Sequence, residues 1–338
     1  MSAEPVQMVL LRRYDGPHIF GPHAGVWLRI GSGDNCQQAL TFVLKDLAQF
    51  VGIVMVSLDV TAIAGLNPGP EPDTWLIDAT FQTPTPGLGA AIARYAVDRL
   101  NAQLRSSDEN TAADTLWYDD PTLFDLKQQC RREALPIASL QLIAEAQQRG
   151  VPVLYRPDGA FQLGYGTHGL VYDPTTVVHE MLLAVRWEDI PSVALYAVTG
   201  ERQRATVVDH IAAFCESVGC HCEKVQDADY QTTLMRLIET EADHVVIGLE
   251  TADIIQRGLA FAQCQLGVLT DCDGPYPSVA QSSLEWIQAL GLPMLLTTGK
   301  VLLNTSEPAF ASLIPSIASD IVPLHALDDV LQQMLLHQ

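Results

Sequence analysis

The chain is poor in charge. Asp, Glu, Lys and Arg make up only 17% of its 338 residues, where soluble proteins average about 25%. The deficit falls on the basic side. Lys and Arg number 19 against 40 Asp and Glu, for a net charge of −21. That field repels nucleic-acid phosphates and anionic membrane surfaces, so neither is expected as a partner. No run of five like charges occurs, so no acidic tail is expected. No stretch of 18 apolar residues occurs either, so no transmembrane helix is expected. The opening segment, Met1 to Tyr14, carries acid where a signal peptide carries base, which argues against export. The seven cysteines are odd in number and scattered, and read as reduced thiols of a cytoplasmic protein. Cys215, Cys220, His221 and Cys222 do cluster. A zinc site needs a second ligand pair at metal spacing, which the sequence lacks, so small packed thiols are expected there.

What the chain does have is apolar bulk, 48% of its residues. That excludes a disordered chain, and the length suits two domains. In the first half, Val6 to Arg12, Val26 to Ile30, Ile53 to Val60 and Thr74 to Phe81 read as strands. Helical spacing marks Cys36 to Phe50 and Gly87 to Leu104. Gly65 to Asp73 and Ser106 to Asp114 read as loops. Thr122 to Arg132 and Ile137 to Gln148 read as helices, then Val151 to Tyr155 and Ala160 to Gly164 as short strands. From Val193 the pattern becomes regular. Strands are expected at 193–198, 223–225, 244–249, 266–270, 293–298 and 321–324. Helices are expected at 203–217, 231–239, 252–260, 279–290, 308–317 and 327–336. Strands alternating with helices predict a mostly parallel sheet with helices on both faces. The expected fold class is thus α/β: a small N-terminal α/β domain (1–160), a linker (161–190) and a mostly parallel sheet domain (191–338).

One junction invites chemistry. After the 193–198 strand comes Thr199-Gly200-Glu201-Arg202-Gln203-Arg204-Ala205-Thr206, where a phosphate loop would sit. Such a loop needs glycines so that backbone N–H groups can surround a phosphate, a Lys for the outer phosphates, and a Ser or Thr for Mg²⁺. Only Gly200 and Thr206 keep the required type. Arg204 keeps the charge but is not equivalent to Lys, Gln203 replaces a glycine, and Ala205 removes a hydroxyl.

These residues resemble the phosphate loop of the Mur ligase family, and in particular that of cyanophycin synthetases. Gly248 to Ala252 resembles that family's Leu-Glu-Thr-Ala segment, and the resemblance makes Glu250 a vestigial Mg²⁺ ligand. In Gly267 to Asp271 an Asp replaces the family's Asn, and the family's Asp-His pair is missing after it. Leu302 to Pro308 resembles a segment near the end of the central Mur domain. In the first half, Tyr14 to Phe20, Gly87 to Ala91 and Gln162 to Gly166 resemble cyanophycin synthetase N-terminal segments. An ATP-grasp domain has no counterpart in this order of segments, nor has a Mur C-terminal domain.

The resemblance implies a truncated, degenerate relative: a non-catalytic binding or regulatory protein with no catalytic residues and no cofactor. Gly200, Arg204 and Thr206 are its vestigial nucleotide site. Tyr14, Gly16, Pro17 and His18 are a candidate binding loop, because turn-rich loops on a scaffold often carry function. Expected partners are another protein or an amino-acid polymer, and homo-oligomers are open. The alternatives are a divergent ATP-dependent amide ligase, which would use ATP and Mg²⁺, and a subunit completed by a partner. His168, His179, His210 and His244 share no metal spacing and are expected to be structural or exposed.

Overall fold

The computed structural model describes residues 5–65, 74–106, 120–190 and 193–335. The loops expected at Gly65 to Asp73 and Ser106 to Asp114 lie outside them but for Gly65 and Ser106. The chain divides into two units. One comprises residues 1–15 and 20–134; the other comprises Gly16–Ile19 and Leu135–Gln338.

The first unit is an antiparallel sheet backed by helices. Its strands β1 (Gln7–Tyr14), β2 (Gly25–Ser32), β3 (Val56–Ala64) and β4 (Trp75–Gln82) take the order β1-β2-β4-β3. Helices α1 (Gln37–Val51), α2 (Pro86–Ser106) and α3 (Pro121–Glu133) complete it. The period-2 rule of strands decides which residues face the helices. Val26, Leu28 and Ile30 are buried with Leu40, Leu44 and Leu47 of α1 and with Leu88, Ile92 and Leu100 of α2. Trp27 and Arg29 point the other way. Arg29 Nε lies 2.7 Å from Asp78 of β4, and the Arg12 and Arg29 guanidinium groups sit 5.1 and 4.9 Å from the Trp27 ring. Cation–π contact thus uses two of the chain's few bases.

The second unit opens with α4 (Ile137–Gln148) and a three-stranded antiparallel sheet of β5 (Val153–Tyr155), β6 (Phe161–Leu163) and β7 (Leu170–Tyr172), followed by α5 (His179–Ala184). Residues 161–190, expected as a linker, are therefore folded. Phe161, Leu163 and Val177 share a core with Leu142, Ile143 and Ala146 of α4.

The rest of this unit is one parallel sheet of β8 (Ala194–Thr199), β9 (Cys222–Ala228), β10 (His244–Leu249), β11 (Cys264–Leu269), β12 (Thr297–Leu303) and β13 (Asp320–Pro323). The order is β13-β12-β11-β8-β10-β9, and each adjacent pair is parallel. The intervening helices are α6 (Arg204–Ser217), α7 (Tyr230–Glu239), α8 (Thr251–Arg257) and α9 (Ser283–Leu295), with α10 (Leu327–Leu335) last. β8 and β10 are buried at every residue, as strands covered on both faces must be. Tyr196 and Val198 pack with Val208 and Ile211 of α6 and Leu331 of α10. Leu195 and Ala197 pack with Leu237 of α7, Ile254 of α8 and Leu290 of α9. The fold is α/β, with helices on both faces of the parallel sheet.

Two expected elements differ. The strand expected at 293–298 is instead the end of α9, with β12 starting at Thr297. Pro293 lies inside the last turn of α9, where it has no N–H to donate back to the preceding turn. The buried Leu290, Leu292 and Met294 hold that turn against the sheet. The helix expected at 308–317 is two 3₁₀ turns, Pro308–Ser312 and Ile314–Ser316. Each begins with or contains a proline, which removes an N–H and favours short tight turns.

The turn Gly16–Ile19 belongs to the second unit. Leu259 N–H donates to Pro17 O at 2.9 Å. A Cβ on Gly16 would stand 2.0 Å from Leu259 O, which leaves no room for any side chain. Gly16→Ala should therefore destabilise the protein by about 1–3 kcal/mol through backbone displacement. Gly31→Ala, whose Cβ would meet only Val9 Cγ2 at 3.6 Å, should leave the thermal midpoint nearly unchanged. Differential scanning calorimetry of the two variants checks the contrast.

Candidate functional site: a phosphate-type turn filled by its own chain

β8 lies between β10 and β11. The chain leaves it through α6 toward β9 on one side and later crosses to β11 on the other. The carboxyl end of β8 is thus a topological switch point, the place where open α/β sheets bind ligands. The turn Gly200–Gln203 sits there and runs directly into α6.

Gly200 is at φ +135°, and a Cβ on it would stand 1.9 Å from Thr270 Oγ1. Only glycine fits this backbone and this approach. The turn then presents consecutive N–H groups in one direction. Those of Arg202 and Gln203 donate to the Asp271 carboxylate at 3.0 and 2.9 Å, and that of Glu201 at 3.3 Å. Thr270 Oγ1 and the Asp273 N–H donate to the same carboxylate at 2.8 and 3.3 Å. Gln203, the residue that caps α6, makes no side-chain cap. Asp271 fills that role from the end of β11, a negative charge at the positive end of a helix.

Asp271 is 1% exposed. Burial alone raises a carboxyl pKa, but the hydrogen bonds from Arg202, Gln203, Thr270 and Asp273 outweigh it and hold Asp271 below its ordinary range. The carboxylate takes the place that a phosphate takes in a turn of this kind.

Arg204 is equally committed. It is buried, and its Nη1 donates to Gly200 O at 3.1 Å and to Leu249 O at 2.9 Å. Its Nη2 lies 2.5 Å from Asp227 Oδ1 and 3.3 Å from Glu250 Oε2. Glu250 caps the start of α8 through its backbone. Arg204 and Glu250, which the sequence marked 46 residues apart, are thus bonded to each other. Asp227 adopts φ +48°, an uncommon conformation that Asp tolerates better than most residues. Trp286 Nε1 donates to Glu201 Oε1 at 3.1 Å and fixes the outer side of the turn.

The expected site residues thus fall into two groups. Gly200, Arg204 and Glu250 converge on this turn. Thr206 is exposed on the first turn of α6, apart from the Asp271 network. In the candidate binding loop, Tyr14, Gly16, Pro17 and His18 are all buried, with Tyr14 1% and His18 2% exposed. That segment packs the fold and offers no open loop. Two residues of the site, Asp227 and Asp271, were not singled out as functional in the sequence. Asp271 was visible only as an Asn-to-Asp departure. Asp227 carries no sequence signal. Among the described residues, no group of three or more His, Cys, Asp or Glu side chains is placed to hold a metal ion. Nor is any helix among them long and apolar enough to cross a membrane.

A family model matches residues 5–323, reaching across both units. The chain belongs to the family described as domain of unknown function DUF4938. No curated protein matches it. The turn and its two anchoring side chains lie inside the span of the family model.

Asp271→Ala would leave three turn N–H groups and a helix start unpaired. It should lower stability by about 2–5 kcal/mol, since each buried unpaired donor costs about 1–3 kcal/mol. The folded pKa of Asp271 lies below the unfolded value. Its contribution is therefore complete above the unfolded pKa, about 3.9, and lost as pH falls through the folded value. Acid unfolding curves should show this loss below about pH 4 in the wild type, and a flatter profile in Asp271→Asn.

Proposed function

We propose that this protein is a non-catalytic binding or regulatory protein whose phosphate-type turn has become a structural joint. The observation that carries this reading is the Asp271 carboxylate seated on the Glu201, Arg202 and Gln203 amides. Nucleotide phosphates would have to displace a buried, fully hydrogen-bonded carboxylate. They would also approach a rim where Asp227, Glu250, Asp271 and Asp273 outnumber Arg202 and Arg204. Phosphoryl chemistry depends on positive charge, N–H donors and a metal held around the transferring group. Here the donors and the buried cation are already paired.

The likeness to a degenerate Mur ligase or cyanophycin synthetase is part of the same proposal. It is supported by the turn after the central strand and by Glu250 beside it. The cytoplasmic setting remains the reading of the seven free thiols. A protein partner suits the exposed apolar side chains of the 135–190 segment. Ile137 and Leu183 are 75% and 82% exposed, and Leu140, Val171 and Val178 are also exposed. Exposed large apolar side chains are candidates for contact with another protein.

Isothermal calorimetry of the full chain with Mg-ATP tests the reading. No binding heat is expected up to millimolar nucleotide. Binding that Arg204→Ala abolishes, or ATP hydrolysis lost on Glu250→Ala, would overturn it and favour a divergent ATP-dependent ligase.

A further inference from the structure

Helix α4 carries two stripes at helical spacing. Ser139, Leu142, Ile143 and Ala146 recur at i, i+3, i+4 and i+7 and are buried. The last three join the core with Phe161 and Leu163 of the three-stranded sheet. A second stripe with the same spacing, Ile137, Leu140, Gln141 and Ala144, lies exposed on the opposite side. A surface helix ordinarily turns charged residues outward. This one has none to turn there: residues 134–144 contain no Asp, Glu, Lys, Arg or His. A helix that is apolar on two faces suits a place between two layers. Among the described residues, the chain covers only the inner face.

The outer surface continues onto α5, which packs beside α4. Leu182 packs against the shared core, whereas Val178, Met181 and Leu183 are exposed. Together with Ile137 and Leu140 they leave on the order of 500 Å² of apolar surface in water. Counted on two partners, that reaches the total of about 1,000 Å² that a specific interface buries. Charge decides which partner fits. A charged surface laid on this face would lose its hydration and find no counter-ion. Two copies of the chain, each at −21, repel each other least where neither surface carries charge. The uncharged apolar face that matches this one is the same face of a second copy.

We propose that this face joins two copies of the chain, with α4 packed antiparallel on the second copy's α4 about a two-fold axis. The proposal rests on the reading of the 135–190 segment as a protein contact and names the partner. An axis between Leu140 and Gln141 sets each Leu140 beside its own copy. It also sets each Ile137 over the second copy's Ala144, whose small side chain leaves room for it. The same register brings Glu145 opposite Pro136 of the second copy. Pro136 makes no side-chain cap for α4, and the first turn holds no acidic residue. The N–H groups at that helix start therefore gain a carboxylate at the positive end of the macrodipole. Glu145 pairs with Arg149 of its own chain and has lone pairs left for those N–H groups.

Sedimentation velocity of the full chain is the test. At tens of micromolar chain the expected species has twice the 36.8 kDa chain mass. Added salt should shift the balance further toward it by screening the net charge. Leu140→Glu sets two carboxylates together at the axis and should give monomer with the wild-type far-ultraviolet spectrum. Leu140→Cys should link into a covalent dimer under mild oxidation. Gln147→Cys, on the same side of α4 but about 20 Å from its own copy in this register, should not. A monomeric wild type, a dimer that survives Leu140→Glu, or linking of Gln147→Cys as fast as Leu140→Cys would each overturn the proposal. The wild-type mass and the linking pattern decide the matter even where Leu140→Glu fails to fold. None of these readouts involves nucleotide, so failure here leaves the Mg-ATP test of the non-catalytic reading to stand by itself.

Discussion

The second unit turns on one carboxylate. Asp271 ends β11, α6 begins after β8, and the two meet because those strands are neighbours in the sheet. A helix start needs something to accept its first N–H groups. In many α/β folds a bound phosphate does so. Here Asp271 does so from within the chain. The remaining features of the site follow from that. Gly200 has to bend at φ +135° and carry no side chain beside Thr270, because only then do the following amides point at Asp271. Arg204, which opens α6, is held by two carbonyls and by Asp227 and Glu250.

Charge explains why such a site is stable. The chain carries few bases, and those placed inside it are shared among several acceptors. Arg204 serves four groups, and Arg29 serves both Asp78 and the Trp27 ring. Asp271 is held by neutral donors, so its burial needs no further cation. A carboxylate taking several backbone N–H bonds stays ionised in such surroundings.

The sheet was legible in the sequence because its strands are buried on both faces. Continuous apolar runs such as 194–199 and 244–249 leave little ambiguity, and helical periods separate them. Punctuation misled more than periodicity did. Pro293 reads as a break, yet core packing of Leu290, Leu292 and Met294 carries α9 past it. Gly16, Pro17 and His18 read as part of a candidate binding loop, yet they are buried. Composition reports that a chain turns there and says nothing about what packs on the turn. The site itself was half visible. Gly200, Arg204 and Glu250 stood out by position, but the pairing that defines them needs Asp271, 68 to 70 residues further along the chain. Only the register of β8 against β11 brings that residue to the turn.

The most direct measurement is an NMR titration of the Glu201, Arg202 and Gln203 backbone amides. If Asp271 fills the nest, these three amide protons move together as pH falls through one carboxyl titration below the ordinary Asp range. At neutral pH they stay fixed on addition of millimolar Mg-ATP. Amides that respond to Mg-ATP at neutral pH, and that do not follow the Asp271 carboxyl in acid, would contradict this account.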